Sequence, residues 1–260
     1  MNPCPNRAPE TCPFSGAVSS QPILTRGFSV VPEINKNICA WVFDVYGTLF
    51  DLDSITSGIR QLFPPGGVDA DAFSDMWRAR QLQYAWLRSL TGHYTHFDQV
   101  TMDALNFTLN HFQLSGDLWR DSLMALYQKV KPYPEVLPTL KQLKKRGTPL
   151  VLLSNGTPES LSMIVSRAGL SSLFDAVLSV DSVRVYKPHP MAYRMATDHL
   201  SLRPDQIGYV SSNGWDAFSA KAFGFWALWC NRMAHSPEFL PQQPDAVIRN
   251  LTELAKEQTD

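Results

Sequence analysis

Cys39-Ala-Trp-Val-Phe-Asp44 is a short apolar run that ends on a carboxylate, and Gly47 follows it after Val45 and Tyr46. A continuous apolar run of this length, bounded by a turn signal, reads as a buried strand with Asp44 at its C-terminal end. Further apolar runs at 149–154, 176–180, 207–211 and 225–230 alternate with helix-length segments at 158–168, 190–199 and 216–223. That alternation predicts βαβ units around a parallel sheet, an α/β core of doubly wound, Rossmann-like type. Sheets of this kind bind ligands outside the carboxyl ends of their strands, which brings Asp44, Ser154 and Ser211 to one pocket.

Between the first strand and the rest, residues 54–131 carry helical periodicity, clearest over 73–90, where Trp77, Leu82, Trp86 and Leu90 recur among Arg, Gln and Ser. This stretch is expected to be an inserted helical cap. Pro132-Tyr-Pro134 and a helix carrying Leu137, Leu140 and Leu143, closed by Gly147, return the chain to the sheet. The expected organisation is thus an extension over 1–38, a core built from 39–53 and 132–260, and a cap over 54–131. Residues 1–38 hold Pro3, Pro5, Pro9, Pro13, Pro22 and Pro32 among Ser, Gly and Asn. That is too little periodic apolar surface to offset the entropy of ordering, so a mobile extension is expected. A transit peptide is the alternative, supported by Arg7, Arg26 and few acids, although no Arg-rich amphipathic helix accompanies them.

The 260 residues are 44% hydrophobic and 18% charged, enough to bury one sizeable core. A formal charge of -1 gives no extended basic surface, which argues against nucleic acid and anionic lipid and for a small substrate. The four cysteines lack a C-x-x-C pair, so neither a disulfide framework nor a zinc site is expected. No apolar run approaches the roughly 18–20 residues that span a bilayer, and the expected location is cytoplasmic. His93 and His96 flank an aromatic turn and are assigned no chemistry, since isolated loop histidines are more often structural or solvated.

Four motifs then follow in order: Asp44-Val-Tyr-Gly-Thr-Leu49, Ser154-Asn-Gly-Thr157, Tyr186-Lys-Pro188 and Ser211-Ser-Asn-Gly-Trp-Asp216. In order and spacing the set resembles the haloacid dehalogenase superfamily, and Trp77-Arg-Ala-Arg-Gln-Leu-Gln-Tyr-Ala-Trp-Leu-Arg-Ser89 resembles the cap of its (S)-2-haloacid dehalogenase branch. The resemblance runs from about Cys39 to Leu254. It implies a hydrolase that converts short 2-haloalkanoic acids to 2-hydroxy acids, with inversion, through an ester on Asp44.

By the same resemblance, Asp216 mainly activates the hydrolytic water, and Lys187 sits between the carboxylates and offsets their charge. Ser154, Lys187 and the backbone amides near Val45 and Tyr46 would hold the substrate carboxylate, while Arg78 and Asn155 would receive the halide. Thr48, Tyr193, Ser211 and Asn213 fall on supporting positions. Tyr46, Leu82, Phe97 and Trp215 would form an apolar wall; for Leu82 and Phe97 a plain role in the cap core competes with this. Ala79 stands where many of these dehalogenases carry Gln, which implies a wider or less polar pocket at that point. A homodimer through the cap is also implied.

Tyr46 separates this reading from a phosphatase. Phosphatases of the superfamily carry a second aspartate two residues after the nucleophile, because an alkoxide leaving group needs a proton. Halide leaves as the free anion, and tyrosine, with a reference pKa of about 10, is a poor general acid. Magnesium-dependent relatives also place an acidic ligand within the stretch that is Ser211-Ser212-Asn213 here, whereas hard cations prefer carboxylate oxygen. Neither metal nor cofactor is expected. A magnesium-dependent phosphatase and a non-catalytic binding protein on the same scaffold remain the alternatives.

Overall fold

The computed structural model describes residues 37–255, so the expectations placed on 1–36 lie outside it. Strands β1 (Ala40–Phe43), β4 (Leu150–Ser154), β5 (Ala176–Ser179), β6 (Ile207–Ser211), β7 (Trp226–Cys230) and β8 (Ala246–Ile248) make one sheet, ordered β5-β4-β1-β6-β7-β8. Every pairing in it is parallel. The chain builds outward from β1 to β4 and β5, then returns to add β6, β7 and β8 on the other side. The strand order therefore reverses at β1, and the crevice beyond the ends of β4, β1 and β6 is where such a sheet takes its ligand.

Side chains alternate across the strands, and the two faces are covered by different helices. Trp41, Phe43, Leu150, Leu152, Val210 and Leu228 pack with Leu140 and Leu143 of α5 (Val136–Lys145) and with Leu161 and Ile164 of α6 (Pro158–Arg167). On the other face, Val42, Val151, Leu153, Ile207 and Tyr209 pack with Tyr193 and Ala196 of α7 (Pro190–Leu200) and Ala220 of α8 (Gly214–Phe223). Both faces being buried, the strands read as unbroken apolar runs rather than alternating ones.

A short antiparallel ribbon of β2 (Phe50–Asp51) and β3 (Lys131–Pro132) closes the base of the intervening segment. Between these strands lie α1 (Asp53–Leu62), α2 (Ala70–Thr91), α3 (Phe97–His111) and α4 (Gly116–Tyr127). The Asp69 carboxylate caps α2 by accepting from the amides of Asp71 and Ala72, and Gly92 ends it in the left-handed region. Phe73, Trp77, Leu105, Leu109 and Leu123 are buried where these helices meet. No helix among the described residues is long and apolar enough to cross a membrane.

Candidate active site

The turn after β1 sets the position of Asp44. The Val45 carbonyl accepts from the amides of Thr48, Leu49 and Phe50, and the Gly47 amide donates to Phe50 O at 2.8 Å. Gly47 has φ +84, the left-handed region that favours glycine. A Cβ there would lie 3.4 Å from Leu52 and 3.7 Å from Arg78 Nη2, ordinary contact distances, so the backbone angle and not lack of space requires glycine.

Asp44, Lys187 and Asp216 come together although 143 and 29 residues of chain separate the lysine from its two partners. Lys187 Nζ donates to Asp44 Oδ1 at 2.7 Å, to Asp216 Oδ2 at 2.9 Å and to the Tyr209 hydroxyl at 3.0 Å. Its three protons are thereby matched to three acceptors. Lys187 is 1% exposed and Asp216 fully buried. Burial works against the Lys187 charge, but Asp216 and Asp44 outweigh it and the ammonium is held above the ordinary lysine value.

Burial raises the Asp216 carboxyl above its ordinary range; Lys187 pulls it back and Asp44 pushes it up again. Tyr193 donates to Asp216 Oδ1 at 2.7 Å, and Tyr209 lies 2.9 Å from Oδ2. Burial, then the Asp216 charge, lift both phenols well above their usual value, so they serve as neutral donors.

The two oxygens of Asp44 have different company. Oδ2 accepts from Thr48 Oγ1 at 2.7 Å, Asn213 Nδ2 at 2.9 Å and Ser211 Oγ at 3.3 Å, whereas Oδ1 accepts from Lys187. Thr48 is itself fixed by accepting from the Ser212 amide at 2.8 Å. Thr48, Ser211 and Tyr193 thus stand behind the carboxylates, while Asp44, Ser154, Asn155, Lys187 and Asn213 line the cavity in front of them.

That cavity, of about 40 Å³, is completed by Tyr46, Arg78, Gln81, Leu82, Phe97, Tyr127 and Trp215. Arg78 Nη2 reaches from α2 to donate to Asn213 Oδ1 at 2.6 Å. The side-chain oxygen of Asn155 accepts from the Lys187 amide at 2.9 Å, and Ser154 Oγ accepts from the Gly156 amide at 3.1 Å. Leu82 and Trp215 are wall residues. Phe97 is wall and core at once, since its ring also lies 5.6 Å from that of Tyr186. The Val45 side chain faces the hydrophobic core beneath the cavity. Burial lifts the Tyr46 hydroxyl far above its usual value, with Asp98 and Tyr127 adding to it, which keeps it protonated.

One expectation is corrected. Ala79 is exposed and takes no part in the cavity; Gln81 and Leu82 line it instead. Successive helix residues turn by about 100°, so Leu82, four after Arg78, shares its face and Ala79 does not. Gln81, Tyr127 and Tyr209 are site residues that the sequence reading passed over. Gln81 is three residues beyond Arg78, and Tyr209 is two before Ser211 on the same strand face, so periodicity pointed to both. Nothing local marked Tyr127.

The segment 40–224 matches the family model described as haloacid dehalogenase-like hydrolase. An (S)-2-haloacid dehalogenase of Pseudomonas sp. (strain YL) is 44% identical over 210 residues, 80% of this chain and 89% of that one. A crystal structure of an L-2-haloacid dehalogenase, 44% identical, superposes with a TM-score of 0.81, covering 84% of this chain and 97% of that one. The L-2-haloacid dehalogenase of Xanthobacter autotrophicus with chloropropionic acid covalently bound, 34% identical, superposes with a TM-score of 0.77 over 84% of this chain and 97% of that one. With a doubly wound parallel sheet, an aspartate ending its first strand and relatives of this similarity over most of its length, the chain belongs to the haloacid dehalogenase-like hydrolases, among the (S)-2-haloacid dehalogenases.

Proposed function

We propose that this protein hydrolyses (S)-2-haloalkanoic acids to 2-hydroxy acids and halide, with inversion, by way of an ester on Asp44. The observation that carries the reading is the Lys187 ammonium lodged between two carboxylates, 2.7 Å from Asp44 and 2.9 Å from Asp216. That ammonium offsets both carboxylates from within the chain. The groups facing Asp44 Oδ2 are two hydroxyls and an amide NH₂, a poor donor set for a hard cation.

Asp44 Oδ1, with the lysine as its hydrogen-bond partner, is the attacking oxygen. It displaces halide from the carbon that bears it; the C–O bond forms as the carbon–halogen bond breaks, and the electron pair leaves with the halide. Arg78 stabilises the departing anion, with Asn155 beside it, and Ser154 and Lys187 hold the substrate carboxylate. Water activated by Asp216 then adds to the Asp44 carbonyl carbon. In that step Oδ2, facing Thr48, Asn213 and Ser211, carries the developing negative charge, so its donors act as an oxyanion hole. Collapse breaks the bond between the Asp44 carbonyl carbon and Oδ1, and the departing alkoxide takes back the proton that Asp216 removed from water, which releases the hydroxy acid and restores the carboxylate. The apolar wall of Tyr46, Leu82, Phe97 and Trp215 excludes bulk water and strengthens these interactions.

The helices between β2 and β3 act as the cap, supplying Arg78 and, from the wall, Leu82 and Phe97. The exposed Leu87 and Leu90 on α2 support pairing of two chains through this region. Halide release from each enantiomer of 2-chloropropanoate, with EDTA present, tests the activity. Release from the (S) form alone is expected; magnesium-dependent phosphate release from phosphate esters in its place would overturn the reading. In oxygen-18 water, product from a single turnover should be unlabelled, because its new oxygen comes from Asp44.

A further inference from the structure

A second crevice of about 170 Å³ adjoins the reaction cavity, and Tyr46, Phe97 and Tyr127 line both. Beyond that shared wall it runs between α3 and α4 on one side and α6 on the other, past Met124, Thr101 and Ile164, to Asp98, Gln128 and Ser160. Gln128 and Asp98 are exposed, so the crevice has a deep apolar end against the reaction cavity and a polar end at the surface. The Asp98 carboxylate at that outer end accepts from Thr157 at 3.2 Å and from Ser160 at 3.1 Å.

Two of the shared rings, Tyr46 and Phe97, belong to the wall assigned to the alkyl part of the substrate. The reaction cavity, about 40 Å³, has little room for carbons beyond that point, whereas the adjoining crevice has a good deal more. The two spaces meet along Tyr46, Phe97 and Tyr127, so a substrate tail that passes these rings leaves the small cavity for the larger one. We propose that this crevice is a tail subsite, which takes the alkyl chain of 2-haloalkanoic acids longer than propanoate and disfavours tails that end in a carboxylate. The inference rests on the dehalogenase reading above. The preference against a second carboxylate follows from Asp98, since like charges brought together in a partly enclosed space repel and neither is neutralised there.

The test measures kcat/KM on (S)-2-bromoalkanoates from propanoate to octanoate, and on 2-bromoadipate, for the wild type, Met124→Trp, Met124→Ala and Asp98→Asn. Met124 lines the crevice and not the reaction cavity. The wild type should keep most of its propanoate efficiency on hexanoate and lose it on adipate. Met124→Trp should cut hexanoate turnover by about tenfold or more, the range for obstructing methylenes in an apolar pocket, and leave propanoate within about twofold. Met124→Ala should move the preferred length upward, and Asp98→Asn should narrow the gap between hexanoate and adipate. Efficiency that collapses beyond propanoate in the wild type, or losses on both lengths alike in well-folded Met124→Trp with no shift in Met124→Ala, would overturn the subsite while leaving the activity standing. Absence of halide from every acid would overturn the activity and the subsite with it.

Discussion

Carboxylates do two different jobs in this protein, in the reaction centre and along the seam between the helical segment and the sheet. In the centre, Asp44 and Asp216 are buried around one lysine, and each of their oxygens has a hydrogen-bond partner. At the seam, Asp181, from the sheet side, bonds the Tyr94 hydroxyl and lies 2.9 Å from His96 Nδ1, while Asp98 of α3 bonds Thr157 and Ser160. The His96 side chain is 71% exposed. Water competes for partners at the seam and is excluded from the centre, so a hydrogen bond or ion pair to a carboxylate adds little to stability in one place and a great deal in the other. Loss of a seam contact should loosen the molecule slightly; loss of a central one should stop the chemistry.

The sharpest break of the comparison is Asp44→Asn, which removes the proposed nucleophile. Halide release should vanish in folded protein, with mass spectrometry excluding deamidation back to Asp; stable, substantial activity would sink the covalent route. Next is Lys187→Met, which leaves two buried carboxylates without their cation. Turnover should fall by about a thousandfold or more, and unfolding in denaturant should show a loss of about 3–5 kcal/mol, the range for removing one member of a buried ion pair. Near-normal rates in that variant would mean the compensating charge lies elsewhere.

Arg78→Ala should cost about a hundredfold, mainly in kcat, because in the proposed mechanism the guanidinium acts on charge that appears as halide departs. A change confined to KM would instead make Arg78 a ground-state anchor.

The pH response sharpens the contrast further. In the proposed mechanism Asp216 must be ionised to act as a base, and its pKa is raised, so activity should climb with pH at values above the ordinary carboxylate range. The Lys187 pKa is also raised, so its stabilising charge is fully present below the ordinary lysine value of 10.5 and is lost only as pH rises through the higher folded value. Asp175, out on the surface, behaves in the opposite way. Lys144 and the Leu150 amide lower its pKa, so its contribution is present above 3.8 and lost as pH falls. Thermal melts across pH should separate the alkaline loss from the acid one, and Lys187→Met should remove only the former.

The smallest effect is expected from Asp181→Asn. A shift in Tm of a few degrees, about 1 kcal/mol, with kcat/KM within about threefold, fits a seam contact; a thousandfold loss would erase the distinction between the two regions.

Much of this was present in the linear chain. A run such as Ala40–Phe43 is a strand because both faces of a parallel sheet are buried, and Asp44, Ser154 and Ser211 meet because parallel strands bring their carboxyl ends to one edge. The helix repeat likewise put Arg78 and Leu82 on one face, since neighbours three and four apart in a helix are fixed by its pitch. The four ordered motifs picked out Lys187 and Asp216 through their resemblance to a family. What remained for the tertiary structure were contacts with no local signature. The two-residue ribbon of β2 and β3 is too short for any period to show, and β8, only Ala246–Ile248, escaped notice for the same reason. Tyr209 becomes the third acceptor of Lys187 only when β6 and the segment before α7 are packed together. Tyr127 joins the cavity through the packing of α4 against α2, where its ring lies 5.0 Å from that of Trp77. The outward aim of Ala79 came from the helix turn and corrected a position carried over from other sequences. Periodicity records what a residue's own element demands of it; which distant element arrives opposite is decided when the core closes, and that choice created the second crevice beside the reaction cavity.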